Sequence, residues 1–299
     1  LLGGEGGLWL CDSASGGLQE WRGAHGERLA VHGLAREPAG GVWVASFGLG
    51  VLHLDAQGRE LDRYTPGADP AAPDTDFNDV LVDHGGIVWA ASQSAGHLRL
   101  DPRSRQLEVF RHDPELPNSL AANRVYALFE DRDGLIWAGT WNNGASVFDP
   151  RAGGFVSVRP GRVPPALPGA AVLAVLADPD GSFWFGLGDG GGLAHFDLQR
   201  GLLRSFRHDP QRPESLAHNF VMRMVRAADG SLWVATRGGG LDRLRPGAPG
   251  FEHFRHDPAR VDSLAADTVQ SLYIDREQTL WVGFLEDGLD ALCAQCSGF

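Results

Sequence analysis

The chain of 299 residues is poor in cysteine, in basic charge and in long apolar runs, and each shortage closes off a class of protein. Three cysteines are too few to staple a chain of this length, so the fold has to rest on a buried core, and they give no reading of redox compartment. Cys293 and Cys296 form a C-x-x-C, a spacing seen in redox and zinc sites. No second pair and no ligand-spaced histidines accompany it, so incidental thiols or one local disulfide are expected there. Basic residues number 26 against 38 acidic ones, and the formal charge of −12 repels phosphate backbones and argues against a nucleic-acid partner. The longest strongly apolar stretch, AAVLAVLA at residues 170–177, is too short to cross a bilayer as a helix, and the first residues lack the basic start of a signal peptide. No 3.6-residue apolar period of useful length occurs, which excludes a helical fold. H-E-x-x-H, G-x-S-x-G and Walker motifs are missing too, so neither a cofactor nor catalysis is expected of this segment.

What is there is a repeat. FRHDPELPNSL at residue 110 returns as FRHDPQRPESL at 206 and FRHDPARVDSL at 254, intervals of 96 and 48. Tryptophans in GLWL, GVWV, GIVWA, GLIWA, GSFWF, GSLWV and TLWV fall at Trp9, Trp43, Trp89, Trp137, Trp184, Trp233 and Trp281, spaced 34, 46, 48, 47, 49 and 48 apart. A period of this size marks a repeat architecture. Within residues 123–158, four short apolar runs, VYALF, LIWAGT, ASVF and FVSV, are separated by EDRDG, WNNG and DPRAGG, which reads as a four-stranded meander. One meander cannot bury both faces, whereas meanders packed radially can, so the fold class is all-β, a seven-bladed β-propeller of four-stranded antiparallel blades. The tryptophans are expected to pack between blades. Gly50, Gly96, Gly144, Gly192, Gly240 and Gly288, which open the third strands, are expected to need positive φ.

Residues 1–299 are expected to form a single domain. Aligned on the tryptophans, the chain starts in the first strand of blade one and ends before the last strand of blade seven, which implies a piece of a longer polypeptide. Output domain and flanking domains would then lie outside it.

Repetition also weighs against chemistry in the R-H-D-P stretches. His112, His208 and His256 recur with Asp113, Asp209 and Asp257 before proline, a turn start, and with Leu120, Leu216 and Leu264 placed to plug the space below; an inter-blade joint is the expectation. The D-x-D-G turns at 131–134 and 178–181 resemble the start of a calcium loop but lack its further carboxylates, so hairpin turns are expected and no metal. His53 and His195 align with Arg99 and Val147, which suggests a variable, exposed position. Function should lie where the repeats differ. Between second and third strands the blades offer Asp12, Phe47, Gln93, Trp141 with Asn142, Asp189, Arg237 and Glu286, and near the start of the inner strands His32, Asn78, Tyr126 and Gln270. With Tyr126, the loop residues make a candidate rim for a small polar ligand, Trp141 offering a face for stacking. The alternative is solvated loop tips.

SLAANRVYALFEDRDGLIWAGTWNNGASVFDP resembles the two-component regulator propeller repeat, roughly SL-x-x-N-x-V, E-D-x-x-G-x-[LI]-W-[IV]-G-T-x-x-G-G-L and D-P after a leading RHDP. The third, fifth, sixth and seventh repeats carry the pattern best. The fourth replaces the joint with VRPGRVPPALPGA, and the seventh has Gln278-Thr279 where the turn glycine belongs. The resemblance implies the periplasmic sensory part of a bacterial inner-membrane signalling protein, with a histidine kinase or diguanylate cyclase elsewhere in the polypeptide. It also implies an oligosaccharide among the candidate ligands, homodimers formed through the full-length protein, and membrane attachment only through segments outside this chain. The rival expectations are a metal-assisted propeller lyase or hydrolase and a protein-interaction platform.

Overall fold

The computed structural model describes residues 2–4, 7–11, 17–23, 26–38, 40–64, 75–116, 118–160, 166–285 and 288–292. Seven antiparallel sheets follow one another along the chain, each a meander whose strands pair in sequence order, and no helix occurs among the described residues. The protein is an all-β propeller, and the sheets are its blades. Blade one spans residues 2–20, two 30–64, three 77–110, four 125–167, five 172–206, six 221–254 and seven 269–292. Blades one and seven have three strands among the described residues. Blade four adds a two-residue fifth strand, Ala166–Leu167, parallel to Gly154–Pro160, where the fourth repeat lacks the R-H-D-P joint. The third strands of blades two to seven begin at or just after the aligned glycines, which hold φ between 76° and 99°. At Gly96, Gly192 and Gly240 a Cβ would also lie 2.2 to 2.3 Å from the carbonyl oxygen of Phe110, Phe206 or Phe254.

The described residues form two compact units, Leu1–Ser157 and Val158–Phe299. In the first, Trp43 packs with Phe77, Val80 and Val88 of blade three, and Trp89 with Leu120, Val125 and Ile136 at blade four. In the second, Trp184 packs with Leu216, Val221 and Leu232, and Trp233 with Leu264, Val269 and Leu280. Each of these four tryptophans thus buries its ring against the next blade, about 1.5–3 kcal/mol for a large apolar side chain.

A buried indole N–H needs an acceptor. The hairpin turn supplies it: Trp89, Trp137, Trp184 and Trp281 donate to Asp83, Asp131, Asp178 and Asp275, six residues upstream, at 2.8 to 2.9 Å. In blades three, four and seven the other carboxylate oxygen accepts the amide of Ile87, Leu135 or Thr279 and closes the turn. The indole of Trp281 is the main cause holding Asp275 below the usual carboxylate range. One carboxylate therefore caps the hairpin and satisfies the tryptophan. The D-x-D-G turns are hairpin turns whose leading oxygens are already in use.

The R-H-D-P stretches are joints, as their repetition implied. His112, His208 and His256 donate from Nδ1 to the carbonyls of Leu120, Leu216 and Leu264 at 2.7 to 2.9 Å, so Nδ1 carries the proton. Asp113, Asp209 and Asp257 accept the amide two residues on, and Ser119, Ser215 and Ser263 accept the aspartate amides. The three leucines are buried.

Candidate functional site

At one end of the strands, three positions per blade meet. The residue after the second strand donates its amide to the carbonyl of the residue just before the first strand: Gln93 to Asp76, Trp141 to Arg124, Gly188 to Ala171 and Arg237 to Phe220, all at 2.9 to 3.0 Å. The third position is a β-bulge. In blades two to seven, first and second strands lose register around one residue, and that residue is His32, Asn78, Tyr126, Leu173, Met222 and Gln270 in turn. A bulge re-aims the side chain it carries and breaks the alternation from which orientation is read.

In the first unit these positions assemble a continuous cluster across blades three and four. Asn78, 5% exposed, donates to Gln93 Oε1 at 3.0 Å and to the Val125 carbonyl at 2.7 Å. Gln93 Oε1 also accepts Arg124 Nε at 3.2 Å, and Arg124 Nη2 donates to the Tyr126 hydroxyl at 2.9 Å. The guanidinium lies 4.9 Å from the Trp141 ring centre and 5.3 Å from that of Tyr126, and the two rings are 5.0 Å apart. Arg124 has no carboxylate partner among the described residues. Asn142 beside it is exposed. In blade two, Phe47 stacks on His32 with centroids 3.8 Å apart. The arrangement offers two aromatic faces, amide groups and a cation in one patch, which suits a ligand with flat apolar faces and many hydroxyl or anionic oxygens.

In the second unit Asp189 is exposed at φ 45° and accepts the Ala170 amide at 3.3 Å, while Arg237 is exposed with its guanidinium 5.4 Å from the Phe220 ring. Asp12, Glu286, Cys293 and Cys296 lie outside the described residues. The expected rim residues Gln93, Trp141 and Tyr126 come together. Arg124, which joins them, was not among the expected residues. Its signal was available: the aligned positions read Ala30, Asp76, Arg124, Ala171, Phe220 and Thr268, as variable as the loop tips.

The exposed reading of His53 and His195 is corrected. Their side chains are 14% and 16% exposed and stack on Trp43 and Trp184 with centroids 4.2 Å apart, because each lies directly across the strand pair from its tryptophan. Arg99 and Arg243 take the same place over Trp89 and Trp233. No group of three or more His, Cys, Asp or Glu placed to hold a metal occurs among the described residues.

Blades, joints and a bulged rim define the chain as a β-propeller built from one tryptophan-centred repeat. Residues 119–142 match the family described as Two component regulator propeller, and the chain carries that repeat. No curated protein matches the sequence. Among solved structures, the fold is similar to the extracellular domain of a B. thetaiotaomicron protein described as a one component system, with a TM-score of 0.72 and 20% identity over 95% of this chain and 38% of that one. It is similar to the extracellular domain of a hybrid two component system of the same organism, at 0.59 and 20% over 87% of this chain and 39% of that one. It is also similar to a catalytically inactive virginiamycin B lyase from Staphylococcus aureus, at 0.70 and 16% over 94% of this chain and 86% of that one. At these identities the likeness is one of fold. The chain spans less than two fifths of the two B. thetaiotaomicron proteins.

Proposed function

We propose that the chain is a noncatalytic ligand-sensing propeller in the extracytoplasmic, periplasmic part of a bacterial inner-membrane signalling protein, and that it binds a small polar ligand of the oligosaccharide class. The observation that carries the reading is the Asn78–Gln93–Arg124–Tyr126–Trp141 cluster. Sugars present C–H faces that lie on aromatic rings and hydroxyls that pair with amides and guanidinium groups, and this patch holds both kinds of partner side by side. The repeat at 119–142 and the likeness in fold to the extracellular domains of a one component system and a hybrid two component system support the same reading. Ligand binding becomes a signal where two arrangements of the full-length protein, monomer and dimer included, differ in affinity for it. Attachment to the membrane belongs to segments outside this chain.

The test is thermal unfolding against a panel of oligosaccharides, repeated with divalent cations and with chelator, alongside product analysis. A ligand at a hundredfold its Kd stabilises the fold by about 2.7 kcal/mol. A saturable shift that is lost in Trp141→Ala and Arg124→Ala, with no turnover, is the expected result. A shift that requires metal, with product in the same tube, overturns it in favour of a lyase or hydrolase.

A further inference from the structure

The second unit contains a cavity of about 220 Å³ that the rim reading does not use. It lies at the opposite strand ends from Asp189 and Arg237, where strands of blade five meet the turns of blade six. Among the described residues its lining includes Arg204, Arg226, Arg245 and His195 and no aspartate or glutamate, against the grain of a chain carrying −12. Leu232 and Pro246 belong to its apolar wall. We propose that this cavity binds a small organic oxyanion, a carboxylate or a phosphate monoester, with its charged head among the three guanidinium groups and its apolar body on Leu232 and Pro246.

The guanidinium groups are only partly neutralised. Arg245 shares Glu252 with Arg243, one carboxylate between two cations. Arg204 lies 4.8 Å from the Phe206 ring and has no ion pair among the described residues. Arg226 pairs with Asp178 and donates Nη1 to the Gly230 carbonyl at 2.8 Å, while its buried Nε has no hydrogen-bond partner among the described residues. A buried donor left unmade is costly, so the Arg226 side chain is not fully satisfied by its protein partners. All 26 basic residues of the chain are arginines, whose planar forks match carboxylate and phosphate in pairs of hydrogen bonds.

His195 completes the wall. Ser182 Oγ has Asp180 Oδ1 at 2.6 Å as acceptor, so it donates there and accepts from His195 Nε2, also at 2.6 Å. That fixes the proton on Nε2 and leaves Nδ1 as a lone pair. Burial, with Arg226 and Arg204 adding to it against Asp178 and Asp180, holds the imidazole below its usual range, hence neutral. An anion in the cavity would offset the two arginines and raise it.

The experiment titrates the protein with phenyl phosphate, benzoate, inorganic phosphate and, as a neutral control, benzyl alcohol, followed by calorimetry and by the His195 ring protons in NMR. Saturable binding of phenyl phosphate or benzoate is expected, weakened at least tenfold in Arg204→Gln and unchanged in Arg212→Gln, an exposed arginine outside the cavity. The His195 titration should move upward in the bound state. Tighter binding of one head group identifies it as carboxylate or phosphate. Absence of saturable binding by every anion, equal binding of benzyl alcohol, equal weakening in Arg212→Gln, or a His195 titration indifferent to the anion would each overturn the assignment. Because Arg204 is exposed and unpaired, its variant leaves the fold intact, and the rim variants Trp141→Ala and Arg124→Ala leave this binding unchanged.

Discussion

His97 sets an acid limit on the fold. It is fully buried at the start of the third strand of blade three, His97–Asp101, its ring 5.0 Å from that of Trp89 and 6.3 Å from those of Phe110 and Phe155, and neither ring nitrogen has a hydrogen-bond partner among the described residues. Burial pushes the imidazole down to about 3 from an ordinary 6.5. The unfolded chain therefore takes up a proton near pH 6.5 that the folded chain refuses until near pH 3, so stability falls as pH drops through that window. At pH 5 the gap is about 1.5 units, about 2 kcal/mol. The aligned positions in blades two, four, five and six hold Val51, Ala145, Leu193 and Leu241, all buried, so leucine fits this place in the repeat. Urea unfolding of the protein and of His97→Leu at pH 7 and pH 5 isolates the effect, since every other titrating group is common to both. The wild-type protein should lose about 2 kcal/mol more than the variant between the two values. Equal losses, or a His97 that titrates near 6.5 in the folded protein, would refute the reasoning.

Other outcomes follow from the repeat. Gly240→Ala places a Cβ 2.2 Å from the Phe254 carbonyl at φ 80°, and should lower the unfolding midpoint by the equivalent of about 1–3 kcal/mol or more. Leu216→Ala, which empties a fully buried site under the joint, should cost about 2–5 kcal/mol in denaturant unfolding. Trp137→Phe takes the indole donor from Asp131 and should cost about 1–3 kcal/mol more than Trp43→Phe, because Trp43 has Glu37 six residues upstream and its buried Nε1 has no partner among the described residues. Arg124→Ala should leave stability nearly unchanged while abolishing rim binding, read by calorimetry with the oligosaccharide that shifts the wild-type midpoint.

The parts legible from sequence are those that every blade needs alike. A tryptophan that must pack on the next sheet, a glycine that must hold positive φ and a leucine that must fill the joint recur at fixed intervals, and repetition makes them visible. Two kinds of feature escaped. The first is pairing across strands: His53 and His195 looked exposed because alignment compares positions along the chain, whereas their burial comes from the tryptophan opposite, and the shared carboxylate of Asp131 serves a turn and an indole whose connection is spatial. The second is the bulge. An extra residue at Asn78 or Tyr126 shifts the two-residue period, so the pattern that reports orientation fails at the positions that face the candidate ligand. Arg124 was missed for a related reason, since it precedes the strand and reads as part of the joint. Both misses have one cause: the repeat specifies the backbone of the rim, including its bulge, and leaves the side chains there free to differ. The same scaffold that hides the rim from periodicity is what allows Ala171, Phe220 and Arg124 to occupy one geometry with different chemistry, so the proposed ligand reading predicts that specificity follows single residues at three positions per blade, and that exchange of Arg124 together with Trp141 between repeats transfers or erases it.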